Sequence, residues 1–331
     1  MTGLANLGNT CGLNTLIQCI RHCPQLCAGI RACQPKPIKG RDFMITKELA
    51  DLIDQMDRNQ AIAPSRFVKA MYIAFRDFIE PGHQTDIVEL WNLLADQIGD
   101  EAGNAAPNGA GAASVAADHP FVQRADAAWA KAIEKHWSPW TNTTLGFMVC
   151  QVHCKTCDAL YHNFETFSVI TVPIPEGATH LNECLADHFK EEALQDWKCD
   201  ACAGSTAGKV MRIWRLPQVV TIALKRFDYR RGGFKKNSNT INVDLDVDFS
   251  PFRIGSTQSN SGRDSRSSVD KRRLDSAGVH MGNYHGGHYV AVVNDGDHFT
   301  LHDDMSTRPL KFEETCSLIT QAYVLIYAPD R

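Results

Sequence analysis

Apolar positions along this chain change their spacing near its middle. After Cys11, Leu13, Leu16, Ile17 and Ile20 recur at the interval of one helix face. Leu49, Leu52, Ile53 and Met56 repeat it, as do Phe67, Ala70, Met71 and Phe78, then Ile87, Trp91, Leu94 and Ile98. The first hundred residues therefore read as helical. An Ala- and Gly-rich stretch from about 101 to 118 has little to pack and is expected to be an inserted, mobile loop. Ala127 to His136 offers one more short helix.

From about residue 145 the pattern becomes that of strands. Phe164 to Val172 alternates with a period near two and stops at Pro173. Val219 to Leu224 is a short β-branched run suited to a buried strand; Tyr289 to Val293, Phe299 to Leu301 and Tyr323 to Tyr327 look similar. One helical interruption falls near 181–195. Gly255 to Ser276, rich in Ser, Arg and Asp, is expected to be a second flexible insertion. No internal repeat is present. Helices followed by strands argue for an α+β fold with segregated elements.

Composition narrows the class. The 331 residues are 44% hydrophobic and 22% charged, an ordinary globular balance with enough apolar mass for a real core. A net charge of -4 offers no electrostatic reason for nucleic acid or an acidic membrane as partner. The basic residues Arg226, Arg230, Arg231, Lys235, Lys236 and those from Arg263 to Arg273 lack interleaved aromatics, apart from Tyr229 and Phe234, and read as solvated loop charge. No apolar run approaches the ~18 residues of a membrane span, and the start lacks the regions of a signal peptide. The expectation is an intracellular monomer, in cytoplasm, nucleus or both, with no N-terminal targeting domain and no organic cofactor.

Twelve cysteines in a reducing compartment point to metal binding and catalysis rather than disulfides. Cys154-x-x-Cys157 and Cys199-x-x-Cys202, with 41 residues between the pairs, have the spacing of a four-cysteine zinc ribbon. Four thiolates leave no open position, so such a zinc is structural. Cys19, Cys23, Cys27 and Cys33 have no histidine in ligand spacing and read as core thiols.

Two segments carry candidate chemistry. Gly3-Leu4-Ala5-Asn6-Leu7-Gly8-Asn9-Thr10-Cys11 runs straight into a helix. Asn9 and Thr10 are good N-cap types, so Cys11 would sit in the first turn, where the helix dipole lowers a thiol's pKa. Glycines at 3 and 8 allow tight turns that return Asn6 toward the thiol, as an oxyanion donor. Alone, such a cysteine is more often a small buried hydrophobe. Near the other end, His285-Gly286-Gly287-His288-Tyr289-Val290-Ala291 enters a strand, and Phe299 to His302 leads into Asp303-Asp304. A hairpin of those strands would set an acid beside His288, giving nucleophile, base and orienter. Asp86 and Glu89 open a helix at capping-box spacing.

The start resembles the cysteine box of the ubiquitin-specific proteases, continued by Asn14 and Gln18. The distal segment resembles their histidine box, carried by His280, Gly282, Gly287, His288, Tyr289 and Ala291. Gln84-Thr85-Asp86-Ile87-Val88-Glu89-Leu90 is similar to the family's Q-Q-D helix start, and Leu216-Pro217 through Leu224-Lys225-Arg226-Phe227 to its L-P…L-K-R-F strand. Gly12 stands where the family usually has an aromatic residue; Phe299, Thr300 and His302 replace a usual Trp, Tyr and Phe.

The resemblance implies a papain-like core of thumb, palm and fingers in one catalytic domain over 1–331. The helical thumb would take about 1–100, the zinc-bearing fingers about 145–225 and the palm about 226–331. It implies a deubiquitinase acting after the C-terminal glycine of ubiquitin through a thioester. Cys11 would attack, His288 act as base, Asp303 orient it with Asp304 assisting, and Asn6 hold the oxyanion. Asp86, Glu89, Phe227 and Tyr289 would contact ubiquitin's tail, and Cys154, Cys157, Cys199 and Cys202 would hold Zn2+. The partners implied are ubiquitin and ubiquitinated proteins. Two rivals remain open: a weak or inactive ubiquitin-binding scaffold, and a protease for a ubiquitin-like modifier.

Overall fold

The computed structural model describes residues 2–58, 61–104, 121–230, 233–254, 270–283 and 286–330. Helices come first, as the periodicity predicts: α1 (Cys11–His22), α2 (Pro24–Ala32), α3 (Ile45–Met56), α4 (Ser65–Ala74), α5 (Ile87–Ala102), α6 (Val122–Ile133) and α7 (Pro139–Thr144). Two short strands, β1 (Gly3–Leu4) and β2 (Ala61–Ile62), pair in parallel among them. Then follow β3 (Gly146–Cys154), β4 (Leu160–Phe167), β5 (Ile170–Val172), α8 (Leu181–His188), β6 (Glu192–Leu194), β7 (Ala207–Arg215), β8 (Val220–Leu224), β9 (Phe227–Arg230) and β10 (Gly233–Lys236). The chain closes with β11 (Asp246–Asp248), β12 (Lys271–Asn283), β13 (Gly286–Asn294), β14 (Phe299–Asp303), β15 (Ser306–Pro309), α9 (Phe312–Ile319) and β16 (Ala322–Ala328). The fold is α+β, as expected.

A larger sheet runs β15-β14-β13-β12-β16-β8-β5, with β11 on β12; a smaller one runs β4-β3-β7-β6. The alternation from Phe164 to Val172 spans both. β4 belongs to the smaller sheet and β5 to the larger, with a bend at Ser168-Val169 between them. Side-chain alternation is the same in either sheet, so pattern alone cannot reveal the change of partner.

Period-two alternation gives the larger sheet two apolar faces. Tyr289, Ala291, Val293, Val324 and Ile326 join the core of α1–α5, while Val290, Val292, Leu325 and Tyr327 pack with Leu181, Leu185 and Ile319 of α8 and α9. α6 instead lies on the smaller sheet, with Trp129 edge-on to Phe147 at 5.4 Å. It begins five residues earlier than the expected Ala127 start (127 − 122).

α1 is buried from Cys11 to Ile20, wedged between the helices and β12–β13. Its polar residues lie at helical spacing and strap down the N-terminal segment. The Gln18 amide donates to the Thr2 carbonyl at 2.7 Å, and that of Asn14 to Ala5 at 3.3 Å.

The two expected insertions need correction at their edges. Glu101 is the penultimate residue of α5, buried, and its carboxylate accepts from the Ile45 and Thr46 amides at 2.8 and 2.7 Å, capping the start of α3. Residues 105–120, most of the first insertion, lie outside the described residues. At the second, 255–269 lie outside them, but Lys271 to Ser276 already form β12, because Leu274 is core and β12 pairs with β16 here.

The basic residues are less solvated than their sequence suggests. Arg226 is fully buried, its guanidinium donating to the carbonyls of Ala322, Asn239 and Thr320 at 2.7, 2.7 and 2.9 Å. Arg272 is buried and donates to Gln218 and Pro217 carbonyls. Both satisfy main-chain carbonyls of distant segments rather than a polyanion, and burial pushes Arg226 down to about 10. Arg231, Arg263 and Arg266, and the side chains of Tyr229, Arg230 and Phe234, lie outside the described residues. Among the described residues no helix is long and apolar enough to cross a membrane.

Candidate active site

Cys11 is the first residue of α1. The turn before it is built on Asn6, whose side-chain oxygen accepts from the Gly8 and Thr10 amides at 3.1 and 3.2 Å. Gly8 takes a φ of 98°, a conformation that glycine adopts without strain. Thr10 occupies the N-cap position but does not cap; its hydroxyl accepts from the Leu7 amide at 2.9 Å. Gly3 serves by its size, since a Cβ there would stand 2.2 Å from the Met305 carbonyl oxygen. The N-terminal segment thus lies directly on the turn after β14.

That turn carries the acids. β13 and β14 pair antiparallel, with Ala291 opposite His302, and the His288 Nε2 lies 2.6 Å from Asp303 Oδ1. The predicted hairpin juxtaposition is therefore present. Asp304 sits at φ 47°, a conformation that aspartate tolerates. Its main-chain carbonyl accepts from Leu4 at 2.9 Å, while its carboxylate accepts from Asn6 Nδ2 at 2.9 Å and Asn14 Nδ2 at 2.7 Å. Asp303 faces the histidine, and Asp304 faces the segment that holds the cysteine.

Cys11 itself is buried, and burial pushes its thiol up; the Tyr289 main-chain amide opposes this and the Asp304 charge adds to it. The expected lowering at a helix start is outweighed by desolvation. Among the described residues no hydrogen bond joins Cys11 Sγ to His288. Gln84, which the sequence offered only as the first residue of the helix-start motif, touches the thiol: its Nε2 lies 3.7 Å from Cys11 Sγ. Gly12 explains how it gets there, since a Cβ at position 12 would stand 2.9 Å from the Thr85 carbonyl oxygen. The loop before α5 fills the space that a larger residue would take.

Asp86 is the N-cap of α5, accepting from the Val88 and Glu89 amides at 2.8 and 3.3 Å. The Tyr289 and Tyr323 hydroxyls also bond to it, and burial holds its carboxyl above the usual range. Glu89 is exposed beside it. Phe227 packs edge-on against Tyr323 at 5.0 Å and against His280 at 5.3 Å, and Tyr289 is buried between them and α5. Cys19, Cys23, Cys27 and Cys33 are all buried in the helical core, where desolvation pushes Cys19 up to about 12 and Cys27 to about 11.

His302 stands on the α1 side of β14, its ring 4.6 Å from that of His22. It is buried, and neither ring nitrogen has a partner. Burial, then the nearby His22 and Arg21, pushes it down to about 3. The sign follows from linkage: a histidine depressed in the folded state stabilises it above its ordinary value near 6.5, and that stability is lost as pH falls toward about 3. Between about pH 7.5 and about pH 5, His302→Phe is expected to lose much less melting temperature than the wild type does. Equal losses in the two proteins, read by calorimetry, would remove this account.

At the far end of the smaller sheet, Cys154 ends β3, Cys157 lies in the β3–β4 turn, and Cys199 and Cys202 lie between β6 and β7. Their four sulfurs lie within 4.8 Å of one another, with Cys154–Cys202 and Cys157–Cys199 each at 3.7 Å. Disulfides need ~2.05 Å, whereas a tetrahedron with metal–sulfur bonds of ~2.3 Å has edges of roughly 3.8 Å. The donor set therefore fits a tetrahedral thiophilic metal ion. The Tyr161 hydroxyl, 3.2 Å from Cys199 Sγ, supports that sulfur from outside.

The fold is α+β, with a cysteine at the start of a helix that packs on the strand carrying the histidine of a histidine–acid pair. A protein-family model described as "Ubiquitin carboxyl-terminal hydrolase" matches residues 2–327. The chain belongs to the ubiquitin carboxyl-terminal hydrolase family. Ubiquitin carboxyl-terminal hydrolase 21 of Mus musculus is 27% identical over 98% of this chain and 61% of its own. Ubiquitin carboxyl-terminal hydrolase 5 of Saccharomyces cerevisiae is 25% identical over 99% of this chain and 44% of its own. The chain thus spans about three-fifths or less of the length of these relatives. Among solved structures, the SAGA Ubp8/Sgf11/Sus1/Sgf73 DUB module bound to ubiquitin aldehyde matches with a TM-score of 0.76 at 19% identity. That match covers 100% of this chain and 70% of the other, and shows the same fold.

Proposed function

We propose that this domain is a deubiquitinating cysteine protease, cleaving the peptide or isopeptide bond after the C-terminal glycine of ubiquitin. The observation that carries the reading is the His288–Asp303 contact at 2.6 Å, beside a strand whose Tyr289 amide reaches Cys11. Because Nε2 donates to Asp303, Nδ1 carries the lone pair and is free to take the thiol proton. The thiolate attacks the glycine carbonyl, and the charged imidazole, steadied by Asp303, returns the proton to the leaving amine. A thioester remains, and water attacks it with His288 as base.

Cys11's own amide and the second Asn6 Nδ2 hydrogen hold the oxyanion, Asp304 taking the first at 2.9 Å. Asp304 then assists by fixing a donor, not by orienting the imidazole. Glu89, exposed next to the saturated Asp86, meets the basic tail of ubiquitin, and Phe227 and Tyr289 line its path as walls. Cys154, Cys157, Cys199 and Cys202 hold a structural Zn2+ that sets the end of the smaller sheet.

The test is release of fluorophore from a ubiquitin C-terminal amide, run beside the same amide of a ubiquitin-like modifier. Turnover of the ubiquitin substrate alone is the expected result. Preference for the modifier moves the assignment there, and ubiquitin binding without cleavage makes the domain a scaffold.

A further inference from the structure

The Gln84 side chain bonds the main chain of Gly287 at both its donor and its acceptor. Its Nε2 donates to the Gly287 carbonyl, its Oε1 accepts from the Gly287 amide at 3.3 Å, and the same Nε2 lies 3.7 Å from Cys11 Sγ. On one edge, a primary carboxamide offers the donor and acceptor that a residue of an extended chain draws from the two peptide groups flanking it. The pairing with Gly287 is that of a single residue of an added strand. Position 287 is a glycine because a Cβ there would stand 2.3 Å from His280 Nε2 and 2.4 Å from the Met281 carbonyl oxygen.

Neighbouring contacts hold the loop in place. Asn9 Nδ2 donates to the Gly82 carbonyl at 2.6 Å, Thr85 leans on Gly12, and Asp86 caps α5. Gln84 itself is exposed, and among the described residues no other bond holds its carboxamide. It joins the helical side of the cleft to the hairpin that carries His288, directly over the nucleophile.

We propose that Gln84 is a built-in plug: its carboxamide mimics the main-chain donor and acceptor of one residue of the substrate tail, caps the Gly287 subsite and shields Cys11 until the tail displaces it. The proposal deepens the reading of this cleft as the site of an extended, glycine-ended tail. Displacement exchanges two hydrogen bonds for two of the same kind, so the plug comes out at small net cost when a peptide enters. A small molecule that brings no such pair must break the plug without replacing it. Gly12 makes the plug possible, because only a bare α-carbon lets the Thr85 carbonyl come so close.

The experiment measures alkylation of Cys11 by iodoacetamide against pH, in the wild type, Gln84→Ala, Gln84→Glu and Gly12→Ala, with mass spectrometry locating the label. Comparing the limiting rates at high pH separates access from any change in thiol pKa. Gln84→Ala is expected to raise the limiting rate about tenfold, the scale of two net hydrogen bonds, and Gly12→Ala several-fold by pushing the loop outward. Gln84→Glu cannot donate to the Gly287 carbonyl and is expected to behave like Gln84→Ala. With the ubiquitin C-terminal amide, Gln84→Ala is expected to lower KM. Unchanged limiting alkylation in Gln84→Ala overturns the plug, and so does a raised KM, which makes Gln84 a tail-binding residue. If no variant turns over the ubiquitin substrate, the functional reading fails while alkylation still decides the plug.

Discussion

Cys11→Ala is expected to lower turnover of a ubiquitin C-terminal amide by at least about ten-thousandfold while leaving melting temperature within a few degrees of wild type. The side chain lost is small, and its partners are the Gln84 amide at 3.7 Å and the Tyr289 main-chain amide, both weak bonds to sulfur, so little folding energy goes with it. The chemistry goes entirely, because no other thiol is placed to replace it. Cys19, Cys23 and Cys27 are buried, their thiols held above the ordinary range. His288→Ala is expected to cost nearly as much, and the double variant no more than the worse single one, since base and nucleophile act as a unit. Asp303→Asn is expected to cost less than either, because it leaves the base in place but weakens its hold at 2.6 Å. Steady-state rates beside ubiquitin binding check this. Turnover by Cys11→Ala within about a hundredfold of the wild type would end the assignment of the nucleophile.

Removal of the four-cysteine metal is expected to be the largest single loss of stability. A zinc–thiolate cluster contributes roughly 10 kcal/mol or more to small domains, because its ligands do not assemble without the ion. Here the cluster joins the β3–β4 turn to the β6–β7 loop. β6 is only three residues long and, among the described residues, pairs with no strand other than β7. Chelation, or Cys157→Ser, is expected to release about one zinc per chain and to strip amide protection from β6, the two turns and the ends of β3, β4 and β7. Protection in α1 and β12–β16 is expected to persist, since their two cores share no residue with the cluster. Metal release read with a chromogenic chelator, and hydrogen exchange read by mass spectrometry, check both halves. A chain purified with no metal and full protection of β6 would remove the site.

The helices were legible because burial of one face imposes a spacing that survives in the bare sequence. The same holds for Cys154, Cys157, Cys199 and Cys202, whose short pair spacing is itself a knuckle geometry. Less legible were features in which the same local pattern serves two arrangements. The run from Phe164 to Val172 alternates through a change of sheet. Lys271 to Ser276 looks like loop because its residues are mostly polar, and the carbonyls that hold the buried Arg272, at Pro217 and Gln218, lie 55 and 54 residues away in sequence. Arg226 looks like surface charge because the carbonyls that hold it, at Asn239, Thr320 and Ala322, come from other parts of the chain.

At the site the division is sharper. The sequence by itself determined the α+β class, the thiol at a helix start, the histidine and acid at the far end, and the metal donor set. These depend on residue type and near spacing. Only the tertiary structure decided which acid does what, because Asp303 and Asp304 are neighbours in sequence and turn to opposite sides. It alone set the state of Cys11, where desolvation in a packed interior outweighs the helix dipole. And it alone brought Gln84 onto Gly287, a meeting of segments 203 residues apart that no local pattern encodes.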